Sequence, residues 1–107
     1  MPDLILSEND NGKTLRVTPG TRIQIQLKEN PTTGYRWSVR QSGNPSLTLE
    51  SNDFSPGAGD GMGAGGTRQL TFVASQPGQA TIELKNMREW EGESSARAQF
   101  TLSVVIQ

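Results

Sequence analysis

The feature that most constrains this chain is the alternation of apolar and polar residues along most of its length. Ile23, Ile25 and Leu27 are separated by Gln24 and Gln26, and Trp37 and Val39 by Ser38. Leu70, Phe72 and Ala74 repeat the pattern, as do Ala80, Ile82 and Leu84. The longest run is Ala98, Phe100, Leu102, Val104 and Ile106, and shorter ones are Leu4 with Leu6 and Leu15 with Val17. A period of two places one set of side chains on one face of a strand, so these segments read as half-buried strands. No window shows a capped 3.6-residue apolar period, and no helix is predicted. The expectation is an all-β fold, an immunoglobulin-like β-sandwich of about seven to eight strands. Trp37 is expected to fill the space between the sheets, with its indole N–H needing a partner.

Turn chemistry separates the strands. Asn11-Gly12 suits a two-residue type I′ hairpin turn, while Pro19-Gly20 and Pro77-Gly78 suit type II turns. At 107 residues the chain is expected to form a single domain, residues 1–107, with enough length for a modest core. Only 32% of residues are hydrophobic, so the fold depends on their placement.

The absences narrow the chemistry. With no cysteine there is no disulfide, thiol nucleophile or thiolate metal site, and the redox compartment stays open. With no histidine there is no Ser-His pair and no usual zinc ligand. Catalysis would have to rest on carboxylates, Lys, Tyr or Ser, which favours a binding protein over an enzyme. No cofactor or metal is expected. The net charge is −1 with both signs interspersed, so neither nucleic acid nor a membrane is an expected partner, and a monomer is expected. Residues 1–6 do not read as a signal peptide. The protein is therefore expected in the cytoplasm, or in the periplasm or outside the cell if a leader has been removed.

Three segments break the strand pattern: Glu29 to Tyr35, Ser55 to Thr67, and Arg88 to Ser95. In a sandwich the first and third are the B–C and F–G loops, which emerge side by side. The second reaches the same end if it is the D–E loop. Pro31 fixes φ and biases Asn30 to extended geometry, and Gly34 is free to take φ > 0. Thr32 and Thr33 are β-branched with few rotamers, so this loop loses little entropy on binding. Trp90 lies between charged residues and outside any alternation. It is either a binding anchor or a cover for the end of the sandwich, and the sequence leaves both open.

Other motifs fail on their chemistry. Gly61-x-Gly63-x-x-Gly66 matches the dinucleotide string, but a strand follows it where phosphate binding needs a helix N-terminus. Ser7-x-Asn9-x-Asn11-Gly12 lacks the first carboxylate of a calcium loop, and Thr18 stands where the bidentate Glu belongs. The prolines in Asn30-Pro31-Thr32 and Asn44-Pro45-Ser46 forbid glycosylation. Glu89, Glu91 and Glu93 share one short loop without a cleft and read as an acidic rim rather than a glycosidase pair.

Taken together, Asn30-Pro31-Thr32-Thr33-Gly34-Tyr35, then Gly63-Ala64-Gly65-Gly66-Thr67, then Arg88-Glu89-Trp90-Glu91-Gly92 resemble the three motifs of the chagasin family of cysteine-peptidase inhibitors. The resemblance covers nearly the whole chain. It implies an immunoglobulin-like fold whose B–C, D–E and F–G loops enter the cleft of a papain-like cysteine peptidase. The Pro31 to Gly34 tip would lie over the catalytic cysteine without offering a cleavable bond. Gly63 to Thr67 would offer backbone to the non-primed side, and Arg88 with Trp90 would take the primed side. The family usually has proline where this chain has Glu89. That departure implies a looser F–G loop and weaker or more selective inhibition, favouring enzymes without an acidic primed side. The competing expectation is an immunoglobulin-like module that binds carbohydrate or protein and inhibits nothing.

Overall fold

A computed structural model describes residues 3–30, 33–56 and 65–107. Among these, eight strands form: β1 (Leu4–Leu6), β2 (Thr14–Val17), β3 (Arg22–Glu29), β4 (Arg36–Ser42), β5 (Leu47–Pro56), β6 (Gly66–Ala74), β7 (Gly78–Met87) and β8 (Ala98–Ile106). They make two four-stranded sheets, ordered β1-β3-β6-β5 and β2-β8-β7-β4. The expected immunoglobulin-like sandwich is what forms, with β3 to β8 in the places of strands B to G. Helical structure among the described residues consists of single 3-10 turns at Glu8–Asp10, Glu89–Glu91 and Glu93–Ser95, with 3-10 geometry also at Thr33. No helix among them is long and apolar enough to cross a membrane.

Strand register turns the sequence alternation into a core. Ile23 lies opposite Phe72 and Ile25 opposite Leu70 in one sheet. Leu84 lies opposite Phe100 and Ile82 opposite Leu102 in the other. All eight of these side chains are buried. Each such burial stabilises the fold by about 1.5–3 kcal/mol, so a one-residue slip in register is strongly disfavoured. Trp37 joins this core as expected, and its Nε1–H donates to the Lys28 carbonyl at 2.9 Å. That bond crosses from β4 to β3 and so ties the two sheets together.

Four local expectations change. Asn11 has φ −57° and only Gly12 is positive, at +85°, so the turn is type II rather than I′. It joins no hairpin, because β1 pairs with β3 and β2 with β8. Instead Asn11 Oδ1 accepts the Thr101 N–H at 2.7 Å, docking the crossover onto β8. Gly20, at φ +94°, fits its type II turn, with Thr21 N–H donating to the Thr18 carbonyl at 3.2 Å. Gly78, at φ +146°, does not, and opens β7 directly. Finally, β5 runs on to Pro56 and β6 begins at Gly66, so Ser55, Pro56, Gly66 and Thr67 are strand rather than loop.

Candidate functional site

Strand ends decide which loops meet. Glu29 and Pro56 both pair with Gly66, Arg36 pairs with Met87, and Ala98 pairs with Asn86. The B–C loop between β3 and β4, the D–E loop between β5 and β6 and the F–G loop between β7 and β8 therefore leave the sandwich at one end. Of the residues the sequence singles out, Pro31, Thr32, Gly63 and Ala64 lie outside the described residues. The other twelve residues of the three motifs are at this end.

The B–C loop braces itself. Thr33 Oγ1 donates to the Asn30 carbonyl at 2.8 Å and accepts the Tyr35 N–H at 3.3 Å. Gly34 takes φ +80°, as its lack of a Cβ permits. A Cβ there would lie 2.5 Å from Trp90 Cη2, so the ring rests directly on this glycine. Arg88 holds the same junction from the side, with Nε donating to the Thr33 carbonyl at 3.3 Å. The Tyr35 ring lies between two guanidiniums, Arg88 at 4.6 Å and Arg97 at 4.1 Å from its centroid. Each such contact is worth about 0.5–1 kcal/mol where exposed and more where dry. The B–C and F–G loops thus form one body.

Trp90 is 72% exposed although one edge of its ring touches Gly34. It does not cover the sandwich end, and most of its ring faces solvent. Its loop is pinned from beneath. Ser95 Oγ accepts the Arg88 N–H at 3.0 Å and donates to the Gly92 carbonyl at 2.7 Å. Glu93 bonds Lys85 Nζ and Arg40 Nη2, each at 3.0 Å, across the outer face of the sheet. The Lys85 hydrogen bond, with Arg40 second, holds the Glu93 carboxyl below the usual carboxylate range. Glu93 is therefore a strut rather than part of a free acidic rim. Glu89 is exposed, and Glu91 lies 3.5 Å from Arg88 Nη1.

Beneath the loops sits a network not foreseen from sequence. The Glu29 side chain is 1% exposed. Its Oε1 accepts the Trp37 N–H at 2.7 Å and Arg68 Nε at 3.2 Å, and its Oε2 accepts Arg68 Nη2 at 2.6 Å. Arg68 also donates to Asn52 Oδ1 at 3.2 Å and lies 5.6 Å from the Phe54 ring centroid. One forked ion pair thereby joins the root of the B–C loop (Glu29, Trp37) to both strands that flank the D–E loop. Gly65 belongs to the same root, since a Cβ there would lie 3.2 Å from the Glu29 carbonyl oxygen. Between the two loops is an open depression of about 450 Å³, lined by Lys28, Glu29, Asn30, Gly65, Gly66, Thr67 and Arg97.

Fold and site together define an immunoglobulin-like sandwich whose B–C and F–G loops brace each other at the end from which β5 and β6 also emerge. The chain belongs to the chagasin family of peptidase inhibitors I42, whose family model matches residues 16–104. It is 35% identical to chagasin of Trypanosoma cruzi over 96 residues, which is 86% of this chain and 87% of that protein. It is 34% identical over 104 residues to amoebiasin-1 of Entamoeba histolytica, covering 95% of this chain and 98% of the other. Among solved structures it is similar to a cysteine protease inhibitor of Entamoeba histolytica, with a TM-score of 0.85, 28% identity and full coverage of both chains.

Proposed function

We propose that this protein is a reversible, tight-binding inhibitor of papain-like cysteine peptidases, with the B–C, D–E and F–G loops entering the cleft together. The observation that carries it is the fusion of the first and third motifs, with Trp90 seated on Gly34 and Arg88 bonded to Thr33. A wedge braced in this way is ordered before it meets an enzyme, which lowers the entropy lost on binding. Segment 30–35 would block the catalytic centre, segment 63–67 would offer backbone on one side, and Arg88 with Trp90 would supply the anchor on the other. A protease–inhibitor interface typically buries about 1,600 Å² in total, a size within reach of three loops. The names of the relatives support the same target class over a non-inhibitory binding module. Titrating papain with the purified chain tests this. Competitive, reversible inhibition is expected, and no inhibition at micromolar concentration would return the choice to the binding module.

Glu89 offers a second test. Arg88 is extended, at φ −90° and ψ 117°, and Glu89 opens a 3-10 turn. Both geometries suit proline at position 89. Glu89→Pro is expected to stabilise the fold by about 0.4–1 kcal/mol, by restricting the unfolded chain. It also removes a negative charge beside Trp90 and should tighten inhibition, up to about fivefold for 1 kcal/mol. Unchanged inhibition constants across a panel of papain-like enzymes would show that Glu89 does not tune the anchor.

A further inference from the structure

The depression between the B–C and D–E loops carries charge that the wedge itself does not neutralise. Its one acidic lining residue, Glu29, is already held by Arg68 at 2.6 Å. The two basic lining residues, Lys28 and Arg97, are both exposed, and neither side chain forms an ion pair among the described residues. Arg97 Cζ lies over the Tyr35 ring, 4.1 Å from its centroid, a contact that holds the guanidinium at the depression and leaves its N–H donors available. Gly65 and Gly66 bring no side chain to the wall, so a partner group can approach the backbone closely. In the F–G loop, by contrast, the basic Arg88 is already matched by Glu91 at 3.5 Å, and Glu89 beside Trp90 is exposed. The nearby Glu8 carboxylate is engaged by the Lys28 backbone N–H at 2.6 Å, so the Lys28 and Arg97 side chains are what give this protein of net charge −1 a positive site next to its binding loops.

We infer that this depression receives a carboxylate of the target, and that the preferred partner is a papain-like peptidase with acidic side chains on the cleft lip facing the D–E loop. This rests on the inhibitor reading above and specifies its partner. The arrangement matches what each group does well: Arg97 offers a planar, oriented fork, and Lys28 a point charge that draws an acid in from a distance. Charges of this kind at the edge of an interface act mainly on the association rate and on the choice among partners.

The test uses the whole protein with two enzymes, papain and a papain variant carrying two added carboxylates on the lip opposite the D–E loop. Association rate constants are measured from progress curves at low salt and at about 1 M salt, where the Debye length is about 3 Å. At low salt the inhibitor is expected to associate on the order of tenfold faster with the acidic variant than with papain. At high salt that preference should collapse. Lys28→Glu/Arg97→Glu should abolish or invert it. Lys28→Glu alone, which leaves the Arg97 contact with Tyr35 untouched, should reduce it, so a failure of Arg97→Glu to fold does not obscure the answer. Equal rates with both enzymes, or a preference that survives the charge reversals, would overturn the proposal while leaving the inhibitor reading intact. Failure to inhibit either enzyme would instead remove that reading, and the proposal with it.

Discussion

Arg68→Ala is expected to lower the unfolding free energy by about 3–5 kcal/mol, the penalty for stranding a buried charge. The Glu29 carboxylate is almost fully enclosed, and among the described residues Arg68 supplies two of its three donors, the Trp37 N–H being the third. Against a total of about 5–15 kcal/mol for an ordinary domain, that loss moves a denaturant midpoint substantially. The double variant Glu29→Met/Arg68→Met removes both charges and refills the space, and should recover most of the loss. What remains is the unsatisfied Trp37 N–H, about 1–3 kcal/mol. A double variant no more stable than Arg68→Ala would mean that an unpaired charge is not the source of the penalty. The same pair separates stability from function. If the ion pair sets the spacing of the B–C and D–E roots, the double variant binds a peptidase more weakly even though its stability has returned.

That network escaped the sequence reading, which put Glu29 in the B–C loop although it is the last residue of β3. The alternation of Ile23, Ile25 and Leu27 reaches position 29 on its next inward step, so Glu29 falls on the buried face. Its partner is invisible to any local pattern, because Arg68 is 39 residues away and meets it only when β3 pairs with β6. Trp37 could be read because it lies before the register shift that β4 makes between Val39 and Gln41. β5 could not, because it is an edge strand whose register shifts between Leu49 and Ser51, and a bulge moves every later side chain to the other face. The Asn11-Gly12 dipeptide suits two turn types locally, and the choice was made by Thr101 of β8, 90 residues on. Glu93 looked like one carboxylate of three on a loop. Its role depends on Arg40 and Lys85, which only the packing of the F–G loop on the sheet brings together. Composition and period reported the architecture and which loops share an end, while the exact loop bounds and the long-range polar contacts that stiffen those loops had to come from the structure.

The junction of Gly34 and Trp90 makes the most specific prediction about the wedge, because each residue is expected to matter through the other. Trp90→Ala removes a side chain that is 72% exposed, so the fold should change by no more than about 0.5 kcal/mol. Inhibition should weaken by at least about 2 kcal/mol, roughly thirtyfold, as for an aromatic anchor that becomes buried only on binding. Gly34→Ala acts from the other side. An alanine at φ +80° costs about 1–2 kcal/mol of backbone energy, and its Cβ, 2.5 Å from Cη2, drives the indole off its seat. That variant should therefore lose both stability and inhibition. With Trp90 already replaced by alanine, Gly34→Ala has only the backbone cost left, and the double variant should be better than the sum of the singles. Residues in contact typically show coupling of about 0.5–3 kcal/mol in such a cycle. If the two changes instead add to within about 0.3–0.5 kcal/mol in inhibition, the ring is not seated on Gly34 when the enzyme binds. The anchor would then be positioned by Arg88 and Ser95 alone, and the B–C and F–G loops would act on the peptidase independently.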